Sequence, residues 1–234
     1  MPTPNHPAGE STDDAAATPS WADRAAERSR SVQRSRARSR EQARSIVAAA
    51  RRLLQTEGAT LTTQELSKEA GIALQTFYRH FSGKDQLLLA VFEDVVSERA
   101  TEVASAAREL PDPVARLRFY LLEILRSLRG EGGGLVGSRF ITAEHWRLYQ
   151  LFPVEIAQAN RPFVDLVEQE LRAASAAGLL RPADPATDAW LALQLVTAVF
   201  HHYAFAPAPA GIDAVAEQVW AFCLTAFGGP PLEK

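Results

Sequence analysis

The stretch Thr62–Leu87, TTQELSKEAGIALQTFYRHFSGKDQL, decides how this chain is read. Thr63 is a candidate helix N-cap, Glu65 and Glu69 lie early in the segment, and Leu66 and Ala70 fall one helical turn apart, so a short helix over about 63–70 is expected. Gly71 can take the left-handed backbone that ends a helix. Ile72 then packs at the turn, and a second helix begins near Ala73. Phe77 and Phe81, at i and i+4, make one apolar stripe facing the first helix. The other surface carries Gln75, Thr76, Tyr78, Arg79 and His80. Such a face suits the major groove of DNA, where Gln and Arg hydrogen-bond to base edges while Tyr, Thr and His reach phosphates. Taken without DNA, the same pattern is a solvated helix hairpin.

Thr62, Thr63, Leu66, Ala70, Gly71, Ile72, Thr76, Phe77, Tyr78, His80, Phe81, Lys84 and Leu87 together closely resemble the N-terminal DNA-binding domain of the TetR family of bacterial transcriptional regulators, over roughly residues 41–92. The resemblance implies an all-helical homodimer whose two recognition helices enter successive major grooves of a palindromic operator. It also implies a larger C-terminal domain that binds a small inducer and dimerises. Position by position, it makes Ala73–His80 the recognition helix, Tyr78 and His80 phosphate contacts, and Lys84 a phosphate contact opening the next helix. Thr63, Leu74, Gln75, Thr76 and Arg79 complete the DNA-facing set. This sequence departs from the family pattern at Ala73, where many relatives carry a Ser or Thr N-cap, and at Leu74 and Gln75, which replace a commoner polar-then-small pair. The operator is therefore not copied from a relative; Leu74 can touch a thymine methyl and Gln75 an adenine.

Charge is distributed to match. Residues 20–90 carry 13 Lys or Arg against 7 Asp or Glu, residues 1–19 carry three carboxylates and no Lys or Arg, and residues 91–234 carry 12 cations against 18 anions, within a net charge of −3. A basic module on an acidic body points to nucleic acid for one part and something else for the other.

Residues 1–38 read as an Arg-rich arm without a fold. Met1–Ser20 has too few large apolar residues to offset the entropy of ordering. Arg28, Arg30, Arg34, Arg36, Arg38 and Arg40 then recur nearly every second residue, largely separated by Ser. Such a run can follow a phosphate backbone or insert arginines into a narrow minor groove, Arg36, Arg38 and Arg40 being nearest the first helix; the alternative is a solvated tail.

A DNA-binding domain over 39–90 and a ligand-binding and dimerisation domain over 91–234 are expected, about nine helices in all, an all-α fold. Ile46, Val47, Ala50, Leu53 and Leu54 give helix one from about Arg40 to Glu57, with Gly58 as its stop and Ala59 and Leu61 in the connection. Ser82-Gly83 turns into a helix running through Leu87, Leu88, Val91, Phe92 and Val95 toward Arg108. In the family, a shift at the far end of that helix changes the spacing of the two recognition helices. Further helices are expected over Pro113–Arg129, ended by the Gly130–Gly134 run, then Ser138–Leu151, Pro153–Ala177 closed by Gly178, Asp184–Phe205 and Ile212–Phe227. The last two are apolar on more than one face, and resemblance to the family makes them the homodimer interface.

Candidate ligand-pocket residues are Phe119, Tyr120, Glu123, Phe140, His145, Trp146, Tyr149 and Phe163, large amphipathic side chains on the middle helices. Aromatics with a few polar groups suit an apolar ligand carrying one hydrogen-bonding end. His201 and His202 are adjacent on a helix and diverge, a poor metal site. No cofactor is implied. The Gly130–Gly134 run lacks the Lys and Ser or Thr of a phosphate loop, no Gly-x-Ser-x-Gly elbow occurs, and the lone Cys223 has no catalytic context, so no enzyme is expected. A single cysteine and the lack of a secretory apolar segment fit a reducing cytoplasm, and stretches such as Trp190–Phe200 are too short to span a membrane. Two functions stand: a dimeric repressor released by a small apolar inducer, or a constitutive DNA-binding regulator.

Overall fold

The computed structural model describes residues 21–56, 62–129, 133–208 and 210–230, excepting the side chains of 21–28, 30–31, 55–56, 133–138 and 140–141. Expectations for residues 1–20, Gly58, Ala59, Leu61 and Gly130 fall outside these. All regular structure among the described residues is helical: α1 Trp21–Thr56, α2 Thr63–Glu69, α3 Leu74–His80, α4 Lys84–Ala106, α5 Pro113–Arg126, α6 Gly133–Leu151, α7 Pro153–Ala176, α8 Pro185–Tyr203 and α9 Ile212–Ala226. Backbone contacts divide the chain into two units, residues 1–42 and 43–234.

In the first unit, helix extends through residues expected to lack a fold, since α1 begins at Trp21 rather than near Arg40. The segment 21–56 contains neither Gly nor Pro and is rich in Ala and Arg, so propensity alone supports helix where apolar periodicity is missing. Residues 32–42 are all exposed, Arg36, Arg38 and Arg40 among them.

The second unit holds two apolar cores. In one, Ile46, Val47, Ala50 and Leu54 of α1 meet Leu66 of α2, Phe77 of α3, Phe81, and Leu87, Leu88 and Val91 of α4. Leu148 at the end of α6 and Ile156 at the start of α7 belong to this same core. The second core gathers α5, α7, α8 and α9 around Leu117, Leu121, Leu125, Val167, Leu171, Val196 and Trp220. Helix α4 contributes to both, through Leu87 and Leu88 at one end and Ala100 and Val103 at the other. Ion pairs reinforce its placement: Arg51 of α1 meets Asp94 at 2.7 Å and also Glu98, and Arg147 of α6 meets Asp85 in the first turn at 2.6 Å.

The turns follow local chemistry. Gly71 and Gly178 both have positive φ, 64° and 70°, and close α2 and α7. The cap of α2, however, is Thr62 and not Thr63. Its hydroxyl accepts a hydrogen bond from the Glu65 amide while the Glu65 carboxylate accepts one from the Thr62 amide, the reciprocal box that a Thr three residues before a Glu can form. Thr63 becomes the first helical residue. Helix α6 starts inside the glycine run, at Gly133 rather than Ser138, so fewer of those glycines serve as connection than expected. The helix after Pro113 ends at Arg126, and Ser127–Arg129 tighten into one 3₁₀ turn.

Candidate nucleic-acid interface and ligand cavity

Helix α3 has two sharply different faces. Phe77 is wholly buried, its ring 5.9 Å from that of Phe81, and the two anchor the helix on α1, α2 and α4. Leu74, Gln75, Tyr78 and Arg79 are exposed, while Thr76 and His80 are half-buried. The Tyr78 ring stands edge-on to Phe77 at 5.2 Å, which directs an aromatic hydroxyl outward from a fixed base. Ala73, in extended conformation, begins the helix without a side-chain cap, as its methyl requires. Lys84 opens α4, half-buried. The residues expected to face DNA from 74 to 80 thus share one short helix. Thr63 is half-buried at the start of α2, and Arg36, Arg38 and Arg40 lie in the first unit.

The second site is a cleft between helices. Helices α4 to α8 line a cavity of about 150 Å³, partly open to solvent, through Phe92 and Val96 of α4, Ile124 of α5, His145 and Tyr149 of α6, Asn160 and Phe163 of α7, and Leu193, Gln194, Thr197, Phe200 and His201 of α8. His145 sits among aromatic rings, with centroids of Phe92 at 5.3 Å, His201 at 4.9 Å and Tyr149 at 6.1 Å. Burial, reinforced by the neighbouring His201, lowers the His145 pKa to about 4, and burial lowers that of His201. Both imidazoles are therefore neutral at pH 7.

Of the eight residues expected at a pocket, this cavity gathers His145, Tyr149 and Phe163. Trp146 is 64% exposed, because one residue along α6 from His145 turns it away from the wall that His145 and Tyr149 share one turn apart. Tyr120 is buried in the core of α5 and α7, and Phe119 packs against that core. Glu123 is taken up by ion pairs with Arg99 at 3.4 Å and Arg126 at 3.5 Å. The side chain of Phe140 lies outside those described.

The family model described as "Bacterial regulatory proteins, tetR family" matches residues 46–91, the region that builds α3 and its supports. Over that segment the chain is similar to the tetR family of bacterial regulatory proteins. Its likeness to the HTH-type transcriptional regulator EthR of Mycolicibacterium smegmatis is 33% identity over 76 residues, 32% of this chain and about a third (35%) of that relative's length. Two solved structures extend the comparison through the C-terminal helices. The structure of RolR complexed with resorcinol superposes with a TM-score of 0.66 at 18% identity, covering 84% of this chain and 97% of that one. That of AibR complexed with isovaleryl coenzyme A and operator DNA superposes with a TM-score of 0.50 at 25% identity, covering 82% and 100%.

Sequence reading missed the α8 wall. Its signal was present: Gln194, Thr197 and His201 recur at i, i+3 and i+7 in a helix otherwise dominated by apolar residues, and such a polar stripe faces either water or a cavity. Among the described residues, no helix is long and apolar enough to cross a membrane.

Proposed function

We propose that the chain is a cytoplasmic, DNA-binding transcriptional regulator, a homodimeric repressor released from a palindromic operator by a small, largely apolar ligand. The observation that carries this reading is the double role of α4. Its first turns pack against Phe77 and Phe81 in the core under the recognition helix, and further along Phe92 and Val96 form part of the cavity wall. A ligand that displaces those two side chains acts on the support of α3. RolR and AibR, solved with resorcinol and with a coenzyme A thioester and operator DNA, support a ligand for this fold.

Within this reading α3 reads bases through Leu74, Gln75 and Arg79. Thr63, Thr76, Tyr78, His80 and Lys84 fix the register on phosphates, and Arg36, Arg38 and Arg40 add sequence-independent attraction. Residues 184–205 and 212–227 pair with a second copy. The supporting feature is an apolar outer groove between α8 and α9, lined by Leu191, Leu195, Phe222 and Phe227, with Leu191 52% and Phe222 66% exposed.

Mobility shift on the DNA upstream of the chain's own gene, across a salt series and with and without a metabolite extract, tests the reading. Specific binding released by the extract is expected. Specific binding that no metabolite weakens would replace it with a constitutive regulator, a reading that the cavity disfavours.

A further inference from the structure

We infer that the cavity is shaped for a neutral, single-ring molecule bearing a hydroxyl group, with His145 and His201 as its hydrogen-bonding end. This rests on the cavity being the effector site.

Size sets the first limit. The cavity is partly open to solvent, and its space of about 150 Å³ accommodates one benzene-sized ring beside the two imidazoles. Phe92, Phe163 and Phe200 offer it aromatic surfaces. Charge sets the second. None of the residues lining the cavity is Asp, Glu, Lys or Arg, so a carboxylate or phosphate entering it would be desolvated without a countercharge. The third limit comes from His145, whose Nε2 is buried with no hydrogen-bonding partner in the protein. The His201 ring, brought from α8, lies 4.9 Å away, centroid to centroid.

A neutral imidazole presents one N–H donor and one bare acceptor nitrogen. A ligand hydroxyl donates and accepts, so it satisfies Nε2 in either tautomer and can bridge to the second imidazole. A hydrocarbon of the same shape leaves Nε2 unpaired. A carboxylate only accepts, and it carries charge that nothing in the wall neutralises. The hydroxyl is thus the group that the polar end selects.

Titration calorimetry of the full chain at pH 7.5 with phenol, toluene and benzoate tests this. Phenol is expected to bind at least about tenfold more tightly than its isostere toluene, the difference of one satisfied polar atom, and benzoate more weakly than phenol. His145→Phe should bring phenol and toluene to near-equal affinity, His145→Gln should restore much of the preference, and His202→Phe should leave it intact, since the His202 ring lies against Tyr203 at 4.7 Å. Equal binding of phenol and toluene, tighter binding of benzoate, no phenol binding, or a preference that survives both His145→Phe and His201→Phe would each overturn the inference. Because these titrations contain no DNA, the two readings fail separately. Phenol-selective binding that leaves a DNA complex untouched would refute ligand-controlled release and keep the cavity's selectivity. Release of DNA by a charged metabolite, with no phenol binding, would do the reverse.

Discussion

Around Phe77 the helices close on one another, with Ile46, Leu54, Leu66 and Leu87 wholly or almost wholly buried beside it; around His145, helices α4 to α8 leave a space of about 150 Å³. The filled region displays its chemistry outward, on the Gln75, Tyr78 and Arg79 side of α3, whereas the hollow one turns polar groups inward, toward its own gap. A surface that must present side chains at fixed positions needs a filled core beneath it. A site that must admit a molecule needs packing left incomplete. The same apolar residue types serve both ends, and what differs is whether their volumes sum to the space between the helices.

The difference is broken most directly by removing a side chain from the filled end. Phe77→Ala should cost about 3–5 kcal/mol and lower the melting temperature steeply, because the core beneath α3 has no slack to absorb the loss. Thermal melts that shift by only a degree or two would mean that this region is as loosely packed as the cavity. Next in size is a pH effect confined to the hollow end. The His145 pKa is lowered to about 4, against 6.5 for a free histidine, so between those values the unfolded chain binds a proton that the folded chain refuses. The corresponding stability is present above pH 6.5, is lost as the pH falls through this window, and levels off near pH 4. Allowing for the ring's partial exposure, the loss is about 1–2 kcal/mol. Melting temperatures of the protein and of His145→Phe, followed from pH 7 to 4.5, should diverge with the variant the flatter of the two.

A smaller effect returns to the filled end. Thr62→Ala removes one partner of the box with Glu65 and should lower stability by about 1 kcal/mol, whereas Thr63→Ala should be nearly neutral. Equal losses would place the cap at Thr63 after all. The smallest change in stability is expected from Val96→Phe, which adds volume where space already exists. It should alter unfolding free energy by less than about 1 kcal/mol while abolishing phenol binding, whereas overpacking of a filled core costs about 1–3 kcal/mol.

Much of this architecture is written locally. Pro153 and Gly178 bracket α7, Gly71 marks the turn before α3, and the Phe77–Phe81 spacing reveals which face of α3 is buried, because each depends on only a few neighbouring residues. Two errors have equally local causes. Thr62 and Thr63 are adjacent, and only the three-residue spacing to Glu65 separates cap from first turn. Periodicity sought in apolar residues passes over 21–42, where helix rests on propensity without a buried face. The cavity is illegible for another reason. Leu193, Phe163 and Phe92 look like ordinary core on their own helices, and a gap exists only where several helices fail to fill the volume between them, which no single stretch records. Even so, the polar residues Gln194, Thr197 and His201 on α8 hinted at an inner wall.

Leu148 and Ile156 lie far along the chain from α3, yet they complete the core beneath it. A fragment cut after α4 would lose both and leave apolar surface on α1 and α4 uncovered. Grafting helices α1 to α4 onto another body would therefore require the α6–α7 corner to travel with them, and a body chosen from elsewhere would have to supply two aliphatic side chains of matching shape. Exchange of parts between chains of this fold is limited less by the length of the connecting helix than by this corner, which makes the two halves inherit each other's changes.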